Sequence, residues 1–171
     1  LGKDRISVQK ITLIGVMAAL SLGIYAIEAQ VPSPNIAGIK LGLANVVTLC
    51  AMLFAGRIAA GFVLGIRIVL AAAFYGTFIS FMFSLCGGFA AYAVMCLLVN
   101  RFDKKQIWVV SVFGALAHNA GQLCVVAVVL TTQIGAFIPY LVISGIGSGA
   151  LTGLVAQRLW FSPLRRFAVK K

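Results

Sequence analysis

The sequence predicts an all-α integral membrane protein, six transmembrane helices in a compact bundle with both termini in the cytoplasm. Three observations carry this. Of 171 residues, 62% are hydrophobic and only 10% charged, with a mean hydropathy of +1.09, whereas soluble domains run to about 45–50% apolar and about 25% charged. Apolar runs close to membrane length recur to the end of the chain, so a single signal peptide does not explain them. Twelve of the fourteen basic residues fall in alternate loops and at the termini, which the positive-inside rule assigns to the cytoplasmic face.

In order, the expected helices cover residues 11–29, 40–54, 58–74, 77–99, 107–130 and 137–159 of one membrane domain, 1–171. The first follows Lys3, Asp4, Arg5 and Lys10 and repeats Gly15, Ala19 and Gly23 every four residues. That stripe admits close approach of another helix, either inside the monomer or from a separate membrane protein. Glu28 closes this run, and Pro32, Pro34, Asn35 and Gly38 make the next segment a loop suited to act as a lid. In the second run Leu41, Asn45, Thr48 and Met52 share a face. Gly56 and Arg57 turn the chain into the third, which holds Arg67 inside an apolar stretch. The second and third runs are the shortest and span only marginally.

The fourth run places Ser80, Ser84, Gly87 and Ala91 on one face, and the polar turn 100–106 leads to the fifth. There Ser111, Ala115, His118 and Gln122 align, with Asn119 beside them. The sixth has Gly145, Gly149 and Gly153 at four-residue spacing, a second close-packing stripe, before the basic tail Arg165, Arg166, Lys170 and Lys171. Trp108 and Trp160 fall at inner helix ends, where interfacial tryptophans belong.

Charge placement bounds the partners. The net charge of +11 lies in short loops and termini rather than on a folded basic face with aromatics, so nucleic acid is not expected as a partner. Cys50, Cys86, Cys96 and Cys124 lie in apolar runs without metal-ligand spacing and read as small buried hydrophobes, and no metal or cofactor is expected. Arg67 is different. A guanidinium keeps its proton, so near the midplane it requires a partner, a wet cavity or a ligand. Glu28, Lys40, Asn45, Arg67, Ser84, His118, Asn119 and Gln122 are the candidate lining of one substrate cavity, open outward and closed by an apolar inner half. The excess of positive charge suits an anionic or acceptor-rich small molecule, and Phe74, Tyr75, Phe78, Phe81 and Phe83 would wall its apolar body. Taken singly, His118 also fits a packing role, Asn119 and Gln122 interhelical hydrogen bonds, and Arg67 a pair with Glu28.

The stretches Lys40-Leu-Gly-Leu-Ala-Asn45, Ser84-Leu-Cys-Gly-Gly88 and Gly114-Ala-Leu-Ala-His-Asn119, with Glu28, Pro32, Arg67 and Gln122, resemble the bacterial Gx transporter family. That family is also labelled heptaprenyl diphosphate synthase component I. The resemblance covers nearly the whole chain and implies a bacterial plasma-membrane protein similar to the substrate-binding (S) components of energy-coupling-factor (ECF) transporters. It further implies that Gly15, Ala19 and Gly23 dock a transmembrane coupling subunit, that the loop after the first helix gates a vitamin-like or isoprenoid/quinone-related substrate, and that partner ATPases drive transport. Members are also similar to a membrane component of flavin/quinone-based extracellular electron transfer, the alternative role. For that role the single His and scattered cysteines offer no obvious redox centre. Prenyl-chain elongation needs clustered carboxylates to hold Mg²⁺, yet the only acids are Asp4, Glu28 and Asp103. No Walker motif occurs either, so no enzyme activity is expected of the chain alone.

Overall fold

The computed structural model describes residues 8–30, 40, 42–75, 77–129, 135 and 138–164. Six α-helices account for nearly all of them: α1 (Val8–Gln30), α2 (Asn45–Ala55), α3 (Arg57–Tyr75), α4 (Phe78–Leu98), α5 (Ile107–Val129) and α6 (Ile138–Phe161), with a 3₁₀ turn, Lys104–Gln106, leading into α5. No strand occurs among the described residues. All the helices except α2 are long and apolar enough to cross a membrane. The lid segment 31–39, Leu41 and the basic termini lie outside the described residues.

Local chemistry sets the helix ends. Thr77 caps α4, its hydroxyl accepting from the Ser80 amide at 3.2 Å, a contact worth about 1 kcal/mol. Pro139 falls in the first turn of α6, where the missing amide hydrogen costs nothing. Gly56, at φ 92°, separates α2 from α3 in one residue.

The second helix departs from expectation. Instead of 40–54 it occupies 11 residues from Asn45, about 16 Å, half of a span. The residues before it are drawn into other work. Gly42 adopts φ 77°, a left-handed conformation open to glycine, and its amide donates to Glu28 Oε1 at 2.5 Å. Irregular backbone at membrane depth persists only where protein covers it, and Gly42 and Ala44 are both buried.

Helices α4, α5 and α6 form the closest-packed part of the bundle, and glycines explain α5 against α6. A Cβ at Gly149 would lie 2.6 Å from Val112 Cα, and one at Gly153 2.5 Å from Trp108 Cα. A buried hydrogen bond between Ser111 and Thr152 hydroxyls, 3.0 Å, joins the same pair. Backbone cannot yield as a side chain can. Gly153→Ala is therefore expected to force α5 and α6 apart and lower stability by about 1–3 kcal/mol, read as a drop in thermal unfolding midpoint in detergent. An unchanged midpoint would contradict this packing. On the other flank α2 is enclosed by α1, α3 and α6, with Leu49, Ala51, Ala60, Val63 and Met95 in an apolar core.

Candidate functional site

Buried polar residues collect where the start of α2 meets the middles of α3 and α5. Arg67 lies ten residues into α3 and His118 eleven into α5, so each sits about 15 Å along its helix, at mid-span. Arg67 is 2% exposed, His118 3%, Gln122 1%, Glu28 5% and Asn45 8%. Their proximity is fixed by the glycines between them. A Cβ at Gly42 would meet His118 Cδ2 at 2.9 Å and Asn45 Nδ2 at 3.0 Å. One at Gly87 would meet His118 Nδ1 at 2.9 Å, and one at Gly88 would meet Arg67 Nη2 at 3.2 Å. The Gly-Gly pair of α4 thus brings bare backbone against both the imidazole and the guanidinium.

Hydrogen bonding inside this cluster is incomplete. Gln122 Nε2 lies 3.0 Å from His118 Nε2; with the amide donating, the ring proton is on Nδ1, which faces the Gly87 backbone. Arg67 Nε and Nη2, both polar atoms of the Asn45 amide, Thr48 Oγ1 and Gln122 Oε1 are buried without partners among the described residues. Glu28 faces Arg67 electrostatically, but its carboxylate accepts from Gly42 rather than closing on Nε and Nη2. Native interiors seldom leave so many polar atoms unsatisfied, and a concentration of them calls for a ligand, water or ion to complete it.

A second polar group adjoins the first. The Tyr25 hydroxyl lies 3.3 Å from Ser80 Oγ and accepts from Ser84 Oγ at 3.4 Å. The Lys40 ammonium stands over its ring, 3.3 Å from the centroid, a cation–π contact. Ser84 and Lys40 therefore join the site through Tyr25. Tyr25 itself was not among the expected lining residues, although it lies three residues before Glu28 and so shares its helix face.

Other expectations fare differently. Asn119 is buried but turned away, donating from Nδ2 to the Leu141 carbonyl at 2.7 Å between α5 and α6. Phe74 and Phe78, expected as cavity walls, are 69% and 76% exposed. Phe83 is buried, but it packs with Val125, Val126 and Leu141. Phe81 is half-buried, and the Tyr75 side chain lies outside the described residues. Glu28, expected in the cavity lining, is buried with its carboxylate accepting from the Gly42 amide.

Equal spacing leads to opposite outcomes for the small-residue stripes. Gly149 and Gly153 are buried against α5, whereas Gly15, Ala19 and Gly23 are all exposed, and a Cβ at Gly15 or Gly23 would meet nothing within 4 Å. Packing inside the monomer does not account for the α1 stripe. Beside it, Val16, Leu20, Val47, Cys50, Phe54 and Val155 help to line an apolar groove of about 510 Å³ between α1, α2 and α6.

The sequence profile for heptaprenyl diphosphate synthase component I matches residues 17–159. The chain belongs to this family. Comparison with curated proteins and with solved structures finds no match. The component I match runs from the middle of α1 to the last turn of α6 and takes in every residue of the polar cluster. An apolar helical bundle in this component I family fits a membrane protein resembling transporter S components. Of the acids, Glu28 is engaged by Gly42 and Asp103 lies in the turn before the 3₁₀ element. Among the described residues no three of His, Cys, Asp and Glu come together as a metal site would need.

Proposed function

We propose that this chain is a membrane substrate-binding subunit, S-component-like, which captures a small vitamin-like or isoprenoid/quinone-related molecule for uptake through an ECF-type transporter. One observation carries the reading. The Nε and Nη2 of a permanently charged arginine are buried at mid-span without partners among the described residues, in the cluster that holds His118 and Gln122. Intramembrane charge is costly and is kept where it serves a pathway or ligand. A structural ion pair would instead use Glu28 to satisfy that edge.

The half-length α2 supports the same reading, since transporters place interrupted helices, with their free backbone, around the bound substrate. Twelve basic residues on one side put both termini in the cytoplasm of a bacterial cell, so the cluster would be reached from outside. Ser84, Tyr25 and Lys40 then lie on the approach, and Asn119 holds α5 to α6 rather than touching ligand. The exposed α1 stripe and its neighbouring groove would receive the transmembrane coupling subunit, which in turn engages ATPases, because the chain has no nucleotide-binding motif of its own.

Native mass spectrometry of the full chain, extracted in mild detergent, tests capture directly. A retained small molecule is expected in the wild type and is expected to be missing from Arg67→Ala and His118→Ala. Absence from the wild type, with uptake unaltered by either substitution in cells, would refute the reading.

A further inference from the structure

We infer that the captured molecule presents a single planar carboxylate to Arg67, and that the site discriminates against phosphate and diphosphate esters. This rests on the proposed capture role and specifies the chemical class of what is captured. Among the described residues no partner meets the guanidinium Nε and Nη2, the pair whose N–H bonds point the same way along one edge. That edge is the fork that takes both oxygens of a carboxylate in parallel hydrogen bonds.

Charge sets the second limit. Lys40 and Arg67 carry two positive charges against the one negative charge of Glu28, and the loop 31–39 contains no charged residue. One net positive charge remains for the ligand. A carboxylate cancels it, whereas a phosphate monoester brings about −1.5 to −2 at neutral pH and would leave excess charge buried without a partner.

Neighbouring groups agree. Gly88 offers backbone alone beside the guanidinium, a Cβ there falling 3.2 Å from Nη2. Thr48 Oγ1 and Asn45 Nδ2, near the start of α2, are neutral donors without partners among the described residues. Glu28 already serves Gly42; its carboxylate therefore completes the backbone and leaves the arginine edge to a second one.

The test is thermal unfolding of the purified full chain with benzoate, cyclohexanecarboxylate, benzamide, inorganic phosphate and geranyl diphosphate. A concentration-dependent rise in midpoint is expected with either carboxylate and none with benzamide or phosphate. Arg67→Lys, which keeps the charge and loses the fork, is expected to need about tenfold more carboxylate for the same rise. The inference is overturned if both carboxylates leave the midpoint unchanged, or if Arg67→Lys responds like the wild type. An Arg67-dependent rise with benzamide or geranyl diphosphate that matches the carboxylates also overturns it, while leaving capture itself standing. No rise from any probe, together with no retained compound in the native mass spectrum, would remove both.

Discussion

Arg67→Met is expected to fold as well as the wild type and to lose its ligand. Removing one partner of a buried ion pair costs about 3–5 kcal/mol when it strands the other charge, but Glu28 takes its hydrogen bond from Gly42 and makes none to Nε or Nη2. The substitution also removes those two unsatisfied donors. Glu28 keeps its hydrogen bond from Gly42 in the variant. Binding should behave oppositely, because losing one member of a buried charged pair costs about 2–5 kcal/mol, of which about 2.7 kcal/mol is already a hundredfold in affinity. Unfolding midpoint and retained ligand, measured on one preparation, separate the two effects. A purely structural arginine would give the reverse pattern, a midpoint that collapses in Arg67→Met and returns in the double variant with Glu28→Gln. That result would end the case for a binding cluster.

The second large effect belongs to α1. Gly15→Leu combined with Gly23→Leu is expected to leave the isolated protein as stable as the wild type, since neither added side chain meets an atom within 4 Å of its Cβ position. Co-purification with a coupling subunit and substrate uptake should both fall to background, because bulk on such a stripe keeps two helix backbones apart. Helix propensity works in favour of the variant, each leucine gaining up to about 1 kcal/mol over glycine. Loss of folding would mean that α1 packs by this face within its own chain; undisturbed uptake would mean that docking occurs elsewhere.

The two glycine stripes also mark how far a sequence can be read. Apolar runs with small-residue periodicity set five helices to within three residues of their observed ends. The partner of a stripe is another matter. Gly15 and Gly153 carry the same local signal, and only the bundle's arrangement decides that one faces α5 and the other faces outward. Similarly, His118 and Asn119 are neighbours in the chain but about 100° apart around the helix. One reaches Gln122 and the Gly42 backbone, the other α6. Which of two adjacent polar residues belongs to a site depends on what packs against each.

The start of α2 was obscured for a different reason. Residues 40–44 are compatible with a helix and continue an apolar run, but the bond from Gly42 to Glu28 joins positions fourteen apart. Local pattern carries no record of such a contact. Tyr25 was hidden likewise, because a tyrosine in an apolar run reads as wall until Ser80, Ser84 and Lys40 are seen to converge on it.

The burial of Arg67 in the middle of α3 has one further consequence for the proposed capture role. Mobile ions do not reach a guanidinium sealed inside the protein, while charges at a wet surface are muffled over a Debye length of about 8 Å in physiological saline. The approach of an anion through water would still weaken with salt, but the hold on one already seated would stay nearly the same in fresh water and in brine.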